Sequence, residues 1–158
     1  MIDKTDAKIL NVIQKDALAS NATLAERVGL TKTAVYERLR KMQAAGIILG
    51  YVTRVAPQAV GFGQVAFIYV RADERPGTTK TGELLAKIPE VLEVHHIAGE
   101  DCYLIKVRVR STEALGNLLR DKIGVIKSVR STRTTIVFHT LKESTVLPVR
   151  SQQGEYDE

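Results

Sequence analysis

The apolar positions change period about a third of the way along the chain. Up to Gly46 they recur every three or four residues, as on helices; from Gln64 they alternate or run in short blocks, as on strands. Ile9, Leu10 and Ile13 predict the apolar face of a first helix, from about Asp3 to Asp16, with Asp3 and Asp6 at the end where the helix dipole favours negative charge. Thr23, followed by Leu24, Ala25 and Glu26, predicts a Thr-x-x-Glu capping box opening a second helix. Gly29 supplies the left-handed residue that stops it. Thr31 then caps a third helix, with Val35, Leu39 and Met42 as its apolar stripe and Gly46 as its end. Ile47 to Val55 reads as a short strand, and Pro57 to Gly63 as a linker.

Beyond the linker, Gln64 to Arg71 predicts a strand, Thr79 to Ile88 a helix stopped by Pro89, and Val91 to Ile97 a second strand. In Tyr103 to Arg110 the apolar residues alternate with Lys106, Arg108 and Arg110, which is a strand with one wet face. Ser111 or Thr112 caps a helix carrying Leu115, Leu118 and Leu119, ended by Gly124, and Val129 to Leu141 forms a long last strand. The fold class is α+β: an N-terminal helix-turn-helix, winged-helix-like domain and a C-terminal ferredoxin-like βαββαβ domain. The expected boundaries are 1–50 for the helical domain, 51–63 for strand and linker, 64–148 for the ferredoxin-like domain and 149–158 for a flexible tail. A sheet covered by helices on one side leaves its other face open, with Phe67 and Ile105 as candidates to lie there. A sheet-to-sheet homodimer would cover it.

Charge sharpens the picture. Residues 1–55 hold nine Lys and Arg against five Asp and Glu, so +4 of the net +5 sits in the first third of the chain. Basic charge gathered on one small helical domain suits a phosphate backbone. A single cysteine excludes an internal disulfide framework, and neither a membrane-spanning apolar run nor a signal-like start is visible. A cytoplasmic protein with no membrane partner is expected.

Two capped helices about a tight turn, with basic and hydrogen-bonding residues on the second, give helix-turn-helix geometry, whose second helix enters the DNA major groove. Any amphipathic helical hairpin has a polar face, so this segment alone does not decide. The candidate DNA contacts are Thr31, Lys32, Thr33, Tyr36, Glu37, Arg38, Arg40 and Lys41. Lys32 and Thr33 stand at the helix start, where backbone N–H groups favour phosphate. Tyr36 and Glu37 are placed for base edges, and Arg40 and Lys41 for phosphate. Arg38 has a competing role, pairing with Asp or Glu inside the domain. One such domain buries little surface, so a two-fold dimer reading double-stranded DNA is expected.

Four segments together resemble the Lrp/AsnC family of leucine-responsive, or feast/famine, transcription regulators: DKTDAKILNVIQKDA, GLTKTAVYERLRKMQAAGIILGY, AGEDCYL and STRTTIVFHTLKESTVLP. They span about residues 3 to 148 in order. The resemblance implies dimers that assemble further, often to octamers as tetramers of dimers, and a C-terminal domain that binds a small effector, usually an amino acid, between subunits. It places that effector near Gly99, Glu100, Asp101, Cys102 and Tyr103, with His96, Ala98, Thr132 and Thr134 as neighbours. The family's loop reads Gly-x-x-Asp-Tyr, and Cys102 stands here in place of the Asp, removing a carboxylate that could pair an ammonium group. Read without the family, the same residues make a plain turn between two strands.

Other classes fare less well. His95, His96, Cys102 and His139 suggest a metal sensor, but neighbouring strand residues face opposite ways, so His95 and His96 do not readily share an ion, and no metal is expected. No nucleophile-base set, phosphate loop or dinucleotide glycine motif is visible, so neither catalysis nor a cofactor is expected. The alternative function is an amino-acid or metal-binding sensor whose helix-turn-helix serves protein contacts.

Overall fold

The computed structural model describes residues 2–75 and 77–151. The chain divides into two compact units. One runs to Arg54 and takes in the chain from Lys142 on; the other is Val55–Leu141.

In the first unit α1 (Lys4–Ile13), α2 (Asn21–Val28) and α3 (Lys32–Ala44) close around Ile9, Leu10, Ile13, Leu24, Ala25, Val35 and Met42. Each large side chain buried there contributes about 1.5–3 kcal/mol. Local chemistry starts and stops each helix. Asp3 accepts the Asp6 N–H at 2.7 Å and Asp6 accepts that of Asp3 at 3.3 Å, an acidic capping box. Thr31 accepts the Ala34 N–H at 3.2 Å. Gly29 ends α2 at φ 71°, a conformation open to glycine and costly for other residues. The second helix begins earlier than its Thr-x-x-Glu pattern predicts. Its cap is Ser20, whose hydroxyl takes the Thr23 N–H at 3.1 Å, so Thr23 lies inside the first turn and cannot itself be the cap.

The strand expected over 47–55 does not form: among the described residues no helix or strand lies between α3 and Pro57. A strand needs a neighbour to complete its ladder, and this stretch has none among the described residues. Its apolar side chains stand in solvent, Leu49 95 %, Val52 81 % and Val55 58 % exposed.

The second unit opens with a 3₁₀ turn at Pro57–Val60 and continues as β1 (Gln64–Ala72), α4 (Lys80–Leu85), β2 (Val91–His96), β3 (Tyr103–Val109), α5 (Thr112–Asn117) and β4 (Val129–Val137). Leu118–Ile123 prolongs α5 as a π-helical turn, closed by the Gly124 N–H on the Leu119 carbonyl at 2.8 Å. The strands pair antiparallel in the order β2-β3-β1-β4, the ferredoxin-like arrangement. Ala66, Ile68 and Val70 of β1 and Tyr103, Ile105, Val107 and Val109 of β3 meet Leu85, Leu115, Leu118 and Ile123 from the helices in one core.

Ile105 therefore lies on the helix side and is fully buried, not on the open face expected for it. The alternation of β3 sends every odd-numbered residue from Tyr103 to Val109 into the core. Phe67, opposite Lys106, and Tyr69, opposite Leu104, do belong to the other face. The last strand ends at Val137, short of Leu141, and residues 142–148 pack with the first unit instead of the sheet domain expected to contain them. Of the tail expected to be flexible, 152–158 lies outside the described residues, while the Val149 carbonyl is bonded to Asn11.

Candidate nucleic-acid interface and effector loop

The two faces of α3 differ in burial. Val35, Arg38, Leu39 and Met42 stand at i, i+3, i+4 and i+7 and turn toward α1 and α2, while Thr33, Tyr36, Glu37 and Arg40 hold the same spacing on the opposite side. Thr31, Lys32, Thr33, Tyr36, Glu37, Arg40 and Lys41 are exposed, Tyr36 to 52 %. Tyr36 and Glu37 thus share a face with Thr33 from the capped N-terminal turn, and Arg40 and Lys41 follow one turn later.

Arg38 does not join them. Its Nη1 donates to Asp3 Oδ2 at 2.6 Å and to Asp6 Oδ1 at 2.7 Å, bracing α3 against the start of α1. The Asp6 N–H and the Arg38 guanidinium hold the Asp3 carboxyl below its usual range, and the two carboxylates raise Arg38 in turn. Of the two roles expected for Arg38, this is the pairing with acidic residues inside the domain and not the DNA contact: its place on the inward stripe turns it to α1. Asp3, Asp6, Glu37, Arg38, Arg40 and Lys41 line a groove of about 700 Å³ together with Ala45 and Ile47.

The loop between β2 and β3 carries most of the candidate effector residues. Gly99 sits at φ 124°, a region L side chains rarely adopt, and Ala98, Gly99 and Glu100 are exposed. Asp101 Oδ2 accepts Arg133 Nη2 from β4 at 2.9 Å, and the Arg133 guanidinium lies over the Tyr69 ring, 4.0 Å from its centroid. Cys102 turns to β1: its thiol donates to the Ala72 carbonyl at 3.3 Å and accepts the Ala72 N–H at 3.4 Å. Its side chain thus completes the end of a strand.

Tyr103 lies beneath the loop, 1 % exposed. Its hydroxyl donates to Glu74 Oε2 at 2.6 Å, and Glu74 Oε1 accepts the Thr81 N–H at 2.5 Å. The Thr81 hydroxyl meets that of Ser128 at 2.6 Å, and the His96 ring lies 5.2 Å from that of Tyr103. Burial and the Glu74 carboxylate together push the Tyr103 phenol up to about 12. Burial works to raise Glu74, but the hydrogen bonds from Tyr103 and Thr81 prevail and hold it below its usual range.

The residues expected around the effector are not all brought together. His96 is on β2 and Thr132 and Thr134 are on β4, the two opposite edges of the sheet. Thr132 and Thr134 pair with Val70 and Ile68, which face the helices, whereas Arg133 pairs with Tyr69 on the open side. Sequence reasoning passed over Arg133, Glu74, Thr81 and Ser128. Arg133 could have been found from the alternation of β4, since it lies between two named threonines; Glu74 sits in an irregular loop, with no period to betray it. Among the described residues no three His, Cys, Asp or Glu side chains gather as metal ligands, and no helix is long and apolar enough to cross a membrane.

Comparison with known proteins agrees with both halves. Residues 65–147 match the family model of the Lrp/AsnC ligand-binding domain, and residues 2–48 match that of a winged helix-turn-helix DNA-binding domain. The HTH-type transcriptional regulator FL11 of Pyrococcus horikoshii is 34 % identical, over 94 % of this chain and 97 % of its own. The glutamate uptake regulatory protein of Zymomonas mobilis is 33 % identical, over 94 % and 91 %. Among solved structures, a Neisseria meningitidis transcriptional regulator in complex with L-Met superposes with a TM-score of 0.87 at 30 % identity, covering 94 % of this chain and 97 % of that one. Escherichia coli AsnC superposes at 0.85 and 31 % identity, covering 92 % and 98 %. The chain is a DNA-binding transcriptional regulator with a ligand-binding domain, and it belongs to the Lrp/AsnC family.

Proposed function

We propose that this regulator acts in the cytoplasm as a dimer or higher assembly whose DNA affinity or assembly state responds to a small amino acid. On this reading α3 enters the major groove, with Tyr36 and Glu37 at base edges and Lys32, Arg40 and Lys41 at phosphates. The loop 98–102 and Arg133 receive the effector. The observation that carries the effector half is the Asp101–Arg133 pair beside Gly99. A carboxylate and a guanidinium held at 2.9 Å offer one partner for each charge of an amino-acid zwitterion. The L-Met complex of the Neisseria relative supports a neutral, apolar amino acid as the first candidate.

Association has its own support. Phe67 and Tyr69 lie on the sheet face that the helices leave uncovered, and Leu49, Val52 and Val55 stand exposed in a stretch without a strand partner. A second copy would cover such surfaces and would present two recognition helices to a two-fold operator. Coupling then means that the effector binds one assembly or DNA-binding state better than another.

The test is a thermal-shift panel of the twenty amino acids, followed by light scattering on each hit. A stabilising amino acid that also changes the particle mass supports the effector-gated assembly. A flat response to all twenty would remove the amino-acid effector and leave the DNA-binding half standing.

A further inference from the structure

Of the 13 residues of α3, one is a carboxylate: Glu37. It is exposed, lies in the N-terminal half of the helix, and stands on the face that Thr33, Tyr36 and Arg40 share. Among the described residues no hydrogen bond or ion pair holds it. Cations are close in sequence. Arg38, the next residue, gives its guanidinium to Asp3 and Asp6 at 2.6 and 2.7 Å. Arg40 and Lys41 follow at i+3 and i+4, the spacing at which a glutamate pairs with a cation on a helix, yet neither is bonded to it.

The rest of this face is neutral or basic. Lys32, Arg40 and Lys41 are exposed on it, and on the proposed reading they meet phosphates. A carboxylate carried into the same space is repelled by those phosphates unless a donor receives it. Recognition helices read bases with their N-terminal residues, so the donors within reach are those on base edges in the major groove. There are two: the N4 amino group of cytosine and the N6 amino group of adenine. They are not equivalent. Adenine sets its amino group beside N7, whose lone pair opposes the second oxygen of a carboxylate. Cytosine presents its amino group with no acceptor on the same edge. An ionised glutamate only accepts hydrogen bonds, so it fits cytosine; a glutamine of the same size both donates and accepts, so it fits adenine.

We propose that Glu37 is a specificity-determining residue of this regulator and accepts a hydrogen bond from the N4 amino group of a cytosine in the major groove. The assignment rests on α3 being the recognition helix, as proposed above, and adds the base that it reads. Lys32, Arg40 and Lys41 supply affinity without sequence, and Glu37 lowers that affinity wherever cytosine is missing. Discrimination comes as much from repulsion at wrong sequences as from the bond at the right one.

The test uses the full chain, unsubstituted and as Glu37→Gln and Glu37→Ala. Each protein selects duplexes from a random pool. Affinities are then titrated on the selected duplex carrying each of the four base pairs at the position whose preference changes. Glu37 has no partner to lose, so the three proteins should melt alike. The unsubstituted protein should enrich cytosine at that position and lose about tenfold in affinity when adenine replaces it. Glu37→Gln should enrich adenine there and reverse the tenfold preference. Glu37→Ala should bind the four pairs nearly equally, and both variants should keep the preferences at other positions. A base other than cytosine there in the unsubstituted protein, or no change to adenine in Glu37→Gln, overturns the assignment. So does a change in affinity that is uniform over all duplexes, which would mean that Glu37 acts on phosphates or on Arg40 and Lys41. Failure of the recognition helix itself looks different: Lys41→Ala and Tyr36→Ala would then also bind and select as the unsubstituted protein does, and the assignment would fall with it.

Discussion

Tyr103 hangs its hydroxyl on Glu74 at 2.6 Å from inside the core of the sheet, and Gly82 makes room for the ring: a Cβ at Gly82 would stand 2.6 Å from Tyr103 Cε1. Through Glu74, which also accepts the Thr81 N–H, Tyr103 ties the end of the candidate effector loop to the first turn of α4. Gly82→Ala must displace a fully buried ring and should cost about 1–3 kcal/mol in a denaturant titration. Tyr103→Phe leaves Glu74 with its hydrogen bonds from Thr81 and should cost about 1.5–3 kcal/mol. A Gly82→Ala protein as stable as the parent would mean the ring is not held where it is seen.

The raised phenol also predicts a pH effect. A group whose pKa is raised on folding contributes stability below its unfolded value, and the contribution fades as pH climbs toward the folded one. Here that window runs from 10 to about 12. Melting curves of the parent should lose stability across it, while Tyr103→Phe should be flatter there.

At the acid end the Asp3–Arg38 contact acts with the opposite sign. Asp3 is lowered on folding, so its contribution is present above its ordinary 3.8 and is lost as pH falls through the folded value. Asp3→Asn should therefore weaken the parent's stability at neutral pH and narrow the difference below pH 3.8. Because Arg38 braces α3 against the start of α1, Arg38→Met should lower stability and, on the proposed reading, affect DNA binding by loosening α3. Its salt slope should stay near the parent's. A slope reduced by about one unit would return Arg38 to the DNA contacts.

If α3 is the recognition helix proposed above, its exposed face carries two kinds of contact. Lys41→Ala should weaken binding to all duplexes alike and lower the salt slope by about one, as loss of one phosphate contact requires. Tyr36→Ala and Glu37→Ala should change which bases are preferred, read by selection from a random pool. If all three bind like the parent, α3 is not the recognition helix.

For the candidate effector loop, Asp101→Asn and Arg133→Met each remove one charge of the 2.9 Å pair. Each should weaken an amino-acid ligand by about tenfold or more, measured by thermal shift with L-methionine, with DNA binding in its absence retained. Gly99→Asp places a side chain at φ 124° and should abolish the response. A full L-methionine shift in all three would move the site off this loop.

Most of the fold was legible because it rests on period and punctuation. The 3.6 period of Val35, Leu39 and Met42, the twofold alternation of Tyr103 to Val109, and Gly29 with Thr31 are local signals, and the chain follows them. The same period already set Arg38 on the inward stripe of α3, beside Val35 and Met42; its charge had suggested DNA. Relations between distant segments were hidden. That 47–55 forms no strand depends on the lack of a neighbour. That Leu147 and Val149 lie on Asn11 and Gln14, and Arg133 on Asp101, depends on contacts across more than thirty residues. Helix faces and caps are decided within a turn by the backbone's own hydrogen bonds. Which side chain meets which across the fold is decided only when the sheet and the helices have packed, and the Arg38 brace on α3, the Asp101–Arg133 pair and the contacts of Leu147 and Val149 with α1 all belong to that second kind.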